Sequence, residues 1–120
     1  MFGGEDKRKY MRFETFLEGT FSAEREKLGL LMLTNLSKEG LKASLNRILE
    51  PGDSIKIELW IPGSIIPVFV HGQVVWIRNG EKEWTYRFDA GIRICDIDDE
   101  DRNRITDYAY EHWRRSGFGE

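Results

Sequence analysis

The sequence predicts a mostly β protein, a six-stranded antiparallel barrel followed by one C-terminal α-helix. Three observations carry that expectation. About six short alternating or aliphatic runs fill the middle of the chain, Pro, Gly and Asn turn signals separate them, and only the last segment changes to a helical period. Six strands with short connections favour a closed or nearly closed barrel, and closure removes the unpaired edges that invite aggregation.

Residues 1–12 read as a flexible arm. Residues 1–6 are polar and glycine-bearing, and the like charges of Lys7, Arg8, Lys9 and Arg12 repel one another. The barrel is expected over 13–96. Phe16 to Phe21, Leu28 to Leu36 and Leu41 to Leu45 supply its first three strands. Pro51-Gly52-Asp53 is a turn, after which Ile55, Ile57 and Leu59 alternate with Lys56, Glu58 and Trp60. Pro62-Gly63-Ser64 ends that strand. Val68, Val70, Gly72, Val74 and Trp76 mark one face of the fifth strand. Asn79-Gly80 is a turn dipeptide before the sixth, which runs from about Thr85 to Cys95.

The helix is placed over 97–116. Ile105, Tyr108, Ala109 and His112 fall at i, i+3, i+4 and i+7, one stripe that packs across the barrel or its mouth. Asp98 stands as N-cap, the carboxylates of 99–101 suit the positive helix N-terminus, and Arg114 with Arg115 suit the C-terminus. Gly117 fits as the stop. The acidic run from Asp96 to Asp101 therefore reads as capping chemistry rather than a metal site.

At 120 residues the chain is one domain with a single modest core, and 40% hydrophobic with 12% aromatic residues is globular composition. A net charge of −3 argues against a general nucleic-acid or membrane binder. The basic arm inside an acidic protein favours selective anion capture over loose polyanion binding. Cys95 is the only cysteine, so no internal disulfide forms, and its apolar surroundings predict a small buried hydrophobe. The N-terminus shows no apolar signal region, and no apolar run approaches the roughly 18 residues of a membrane span. The default expectation is a cytoplasmic protein.

Two clusters carry the chemistry. Arg8 and Arg12 form R-x-x-x-R, and Asn35, Ser37 and Gly40 form N-x-S-x-x-G, with Asn35 lying 23 positions after Arg12. A guanidinium fork engages guanine O6 and N7 together and also matches phosphate oxygens. Asn35 offers a donor and an acceptor to guanine or ribose, and Ser37 a donor to phosphate. Gly40 allows close backbone approach or a positive φ. Taken alone, Asn35 to Gly40 also reads as a turn whose polar side chains bond their own backbone. An isolated R-x-x-x-R also reads as a solvated tail.

Together the two clusters resemble the signature of PilZ domains, bacterial receptors for the second messenger cyclic di-GMP. His71-Gly-Gln-Val-Val-Trp76 and Ala90-Gly-Ile-Arg-Ile94 resemble later strands of that family, and the likeness runs from about Arg8 to Arg115. The resemblance implies a PilZ-type barrel whose first cluster lies on an arm that wraps the ligand against the second. Arg8 and Arg12 would bind guanine and phosphate, while Asn35, Ser37 and Gly40 would form the barrel side. The family accepts Asp or Asn at the first place of the second cluster. Lys7 before the first arginine resembles members that take up an intercalated ligand dimer, although the residue here is lysine.

Further candidates are weaker. Lys9 belongs to the basic arm. Trp76 reads first as core, with a guanine-stacking face as the other reading. Arg78 and Arg93 read as solvated strand residues within reach of a phosphate. His71 and His112 are widely separated and accompany no nucleophile, so no enzyme is expected.

The implied mechanism is a ligand-driven ordering of the arm, a disorder-to-order switch read out by an unidentified effector protein or through a homo-oligomer. The alternative is a PilZ-like protein-interaction adaptor that binds no nucleotide. A small barrel binding RNA or single-stranded DNA would want aromatics interleaved with basic residues on strand faces, so no nucleic-acid polymer is expected.

Overall fold

The computed structural model describes residues 13–23, 27–80 and 85–115. Six strands and one helix follow in order: β1 (Phe13–Ala23), β2 (Lys27–Leu36), β3 (Gly40–Leu45), β4 (Ser54–Leu59), β5 (Val68–Asn79), β6 (Phe88–Asp96) and α1 (Asp99–Arg115). All neighbouring strands are antiparallel, and the order β1-β2-β3-β6-β5-β4 closes on itself through β4 and β1. The chain is the expected six-stranded antiparallel barrel with a C-terminal helix.

Alternation explains what fills it. Ile55, Ile57 and Leu59 of β4 are buried, as are Val68, Val70 and Val74 of β5 and Ala90 and Ile92 of β6. The intervening Lys56, Phe69, His71 and Arg93 face outward. Burying an aliphatic side chain stabilises the fold by roughly 1.5–3 kcal/mol, so the side-chain parity of each strand fixes its register.

On α1, Ile105 and Ala109 are buried in the core cluster and Tyr108 packs against it. The His112 ring stacks on Tyr108, with centroids 6.0 Å apart. The predicted stripe therefore faces the barrel. Asp98 immediately precedes the helix, its carbonyl accepting the Arg102 N–H at 2.8 Å. The proposed stop at Gly117 lies outside the described residues.

Three local readings are corrected. Bulges interrupt β5 between Val74 and Trp76, and β2 between Leu33 and Asn35. Each inserts one extra residue, and one extra residue moves everything beyond it to the other face. Trp76 therefore leaves the face of Val68, Val70 and Val74 and stands outside, 37% exposed. Cys95 is also exposed, because Ala90, Ile92 and Ile94 claim the inward parity of β6 and a bulge opens opposite Gly72. Asn79-Gly80 is not the tip of the β5–β6 hairpin. Asn79 pairs with Phe88, and the Gly80 N–H bonds the Arg87 carbonyl at 2.7 Å, so the ladder continues past the dipeptide.

Candidate functional site

A groove of about 260 Å³ runs over the outer face of β3, β5 and β6. Asn35, Ser37 and Gly40 line it together with Lys42, Trp76 and Arg93. The structure thus brings the whole second cluster to one cleft and adds the tryptophan from β5. Lys7, Arg8, Lys9 and Arg12 lie outside the described residues.

The two bulges build this cleft. Leu31 and Leu33 point inward on β2, so unbroken alternation would also bury Asn35. The bulge at Thr34 restores Leu36 to the core and leaves Asn35 on the groove side. The Thr34 hydroxyl bonds the Lys42 carbonyl at 3.2 Å, adding a tie across the irregular pairing. The bulge at Val75 does the same for Trp76, whose indole lies across Gly91 of β6. A Cβ on Gly91 would stand 2.2 Å from Trp76 Nε1, so only bare backbone admits the ring there.

Ser37 opens the β2–β3 turn. Its backbone N–H bonds the Gly40 carbonyl at 2.9 Å, and its hydroxyl donates to the same oxygen at 3.2 Å. Donation to a phosphate requires that hydroxyl to rotate. Gly40 is not among the positive-φ glycines of the described residues, which are Gly52 and Gly63. Its small size serves close packing instead: an added Cβ would meet the Ile92 carbonyl oxygen at 2.8 Å. The turn is also tied down from outside. The Ile94 N–H bonds the Glu39 carbonyl at 3.0 Å, and Arg102 of α1 bonds the Lys38 carbonyl at 2.9 Å.

Two cations frame the tryptophan. Arg78 lies over its ring, with Cζ 5.1 Å from the centroid, and its Nε stands 3.9 Å from Asp89. Such a cation–π contact at an exposed site contributes about 0.5–1 kcal/mol. Arg93, opposite Gly40 in the register, donates to Gln73 Oε1 at 2.6 Å. Lys42 was not singled out from the sequence. Its signal was present: Leu41 and Ala43 are apolar and inward, which puts Lys42 outward beside Asn35.

A wider hollow of about 1,000 Å³ spreads over β1, β2, β4 and β5 and shares no residue with the Asn35 groove. Its lining includes Leu28, Phe69 and His71 but none of the predicted ligand residues. Size alone would select the hollow, but Asn35, Ser37 and Gly40 lie together in the groove. Among the described residues no group of His, Cys, Asp and Glu could hold a metal ion, and no helix is long and apolar enough to cross a membrane.

The fold and groove together define a closed antiparallel barrel with one terminal helix and a polar cleft on its wall. The chain belongs to the PilZ domain family, whose model matches residues 6–111. Among solved structures it is similar to the inhibitor of motility MotI/DgrA from Bacillus subtilis, with a TM-score of 0.69 and 18% identity. That match covers 92% of this chain and 53% of the Bacillus protein, so the chain spans about half of that relative's length. It is also similar to the PilZ domain of YcgR from Escherichia coli, solved with c-di-GMP. There the TM-score is 0.69 and the identity 15%, with 91% of this chain and 92% of the other covered. At these identities the likeness is one of fold. No curated protein matches the chain by sequence.

Proposed function

We propose that the protein is a cyclic di-GMP receptor whose residues 1–12 act as an arm that closes on the ligand. Residues 13–96 and 97–116 serve as the barrel and helix against which it closes. The observation that carries this reading is the groove, in which Asn35, Ser37 and Gly40 converge with Trp76 and Arg93. Phe13 pairs with Leu36 and Glu14 with Asn35, so the arm joins the barrel beside the cleft. Five extended residues reach at most about 16–18 Å, enough for Arg8 and Arg12 to meet a ligand seated there.

The roles follow from the chemistry. Arg8 and Arg12 take guanine edges and phosphates, with Lys7 and Lys9 adding positive charge. Asn35 bonds guanine or ribose, and Ser37 turns its hydroxyl from the Gly40 carbonyl to a phosphate. Trp76 offers a stacking face, with Arg78 and Arg93 as flanking cations. Family membership supports this reading, as does the similar E. coli domain solved with c-di-GMP. The protein is then a signalling adaptor of the bacterial cytoplasm rather than an enzyme, and its closed surface is read by an effector protein.

Calorimetric titration with cyclic di-GMP tests this directly, with GTP and the Arg8→Ala/Arg12→Ala variant as controls. Saturable binding that GTP does not reproduce is expected. Each bidentate arginine is worth roughly 1–3 kcal/mol, so each single variant should lose about ten- to hundredfold in affinity. Absence of heat and of any thermal shift at high ligand concentration would reject the receptor reading and leave a nucleotide-independent adaptor.

A further inference from the structure

A third concavity, about 420 Å³, lies between α1 and the barrel end where β2 gives way to β3. Leu36, Leu41, Val70, Ile94, Ile97 and Ile105 form aliphatic walls. Its volume falls within the roughly 300–1,000 Å³ of small-molecule sites, and its character differs from the polar groove on the wall. The mouth carries Ser37, Lys38, Arg102, Asn103 and Thr106.

Arg102 is the informative residue there. Its guanidinium donates to the Lys38 carbonyl at 2.9 Å, and among the described residues it has no carboxylate within ion-pair distance. A cation without a counter-charge at the edge of an aliphatic hollow complements one kind of molecule. That molecule has an extended apolar body and a single anionic head. A nucleotide is too polar for these walls, and a cationic amphiphile would meet Arg102 with the wrong sign.

We propose that this cavity binds an amphiphilic monoanion of the medium-chain carboxylate class. The alkyl chain lies along Leu36, Ile94 and Ile105, and the carboxylate sits on Arg102 with Asn103 and Thr106 beside it. Leu36, Ser37 and Leu41 line both this cavity and the Asn35 groove. An occupant therefore packs against the back of the turn that carries Ser37. By linkage, each ligand alters the other's affinity by the same factor.

The test uses the full chain and no nucleotide, so its failure and that of the receptor reading are separate. Decanoate, octanoate and decylammonium are titrated at neutral pH below their micelle concentrations, followed by calorimetry and amide chemical shifts. Decanoate should bind one to one and shift the amides of Ile94, Ile97 and Ile105. Each methylene removed should weaken binding roughly fourfold, so octanoate should bind more than tenfold more weakly. Decylammonium should bind at least tenfold more weakly than decanoate, and Arg102→Gln should erase that preference. Thr106→Phe, built from the exposed rim so that the core is untouched, should block decanoate. Absence of saturable binding, undiminished binding to Thr106→Phe, or equal affinity for the two head groups in the parent chain would overturn the proposal.

Discussion

Gly91 and Gly40 shape the groove from two strands, and the obstacles beside them differ in kind. Beside Gly91 stands an indole ring that can rotate away, whereas beside Gly40 stands a carbonyl of a paired strand. Gly91→Ala is expected to lift Trp76 from β6. Its indole N–H resonance should move, and the cyclic di-GMP affinity should fall with little loss of stability. Gly40→Ala must part β3 from β6 and should destabilise by about 1–3 kcal/mol, read from chemical denaturation. An unmoved indole resonance in the first variant, or unchanged stability in the second, would refute these packing assignments. At this scale the second cluster was legible because a motif names residues without needing their orientation. Trp76 was misjudged because its orientation was inferred by counting in twos across a bulge that resets the count, and Cys95 because apolar neighbours in sequence were taken for burial.

Among the elements, the β4–β5 connection depends on the helix for its shape. Arg104 donates to the Ser64 hydroxyl at 2.8 Å, to the Pro67 carbonyl at 3.3 Å and to the Ile66 carbonyl, and it pairs with Asp101 at 3.2 Å. Asp101 in turn accepts the Phe69 N–H at 3.2 Å, so one guanidinium and one carboxylate bind the loop to α1. Arg104→Ala should cost about 1.5–3 kcal/mol, the range for bonds to a charged group, and should speed amide exchange at Phe69. Arg104→Lys should recover only part, because an ammonium cannot span the three oxygens in one plane. Full recovery by lysine would mean that charge alone holds the loop. The elements themselves were largely legible. Proline and glycine mark the joints on either side of β4, and the stripe from Ile105 to His112 has no strand-like alternative. The bulges in β2 and β5 were not legible, since Thr34 and Val75 are ordinary strand residues and only cross-strand pairing shows them to be extra.

For the molecule as a whole, the question is whether the barrel needs residues 1–12. Among the described residues the core cluster runs from Leu17 to Ala109, and β1 closes the barrel against both β2 and β4 from Gly19 onward. The first twelve residues also hold four of the 18 basic side chains and two of the 21 acidic ones, leaving the remainder distinctly acidic. On the proposed reading, the net acidic remainder opposes a dianionic ligand everywhere but at Lys42, Arg78 and Arg93, and residues 1–12 add positive charge to theirs. Removing residues 1–12 is therefore expected to leave the thermal midpoint within a few degrees, since a few degrees corresponds to about 1 kcal/mol for a domain of this size. Cyclic di-GMP binding should vanish in the same sample. In the full chain, affinity should fall as salt is raised, because attraction between the basic residues 7–12 and an anionic ligand is screened beyond about 8–10 Å at ordinary ionic strength. A truncated chain that still binds would move the site wholly onto the barrel, with Arg78, Arg93 and Lys42 as its cations. A truncated chain that unfolds would make the arm part of the core, and ordering on ligand binding would then no longer explain how the signal leaves the protein.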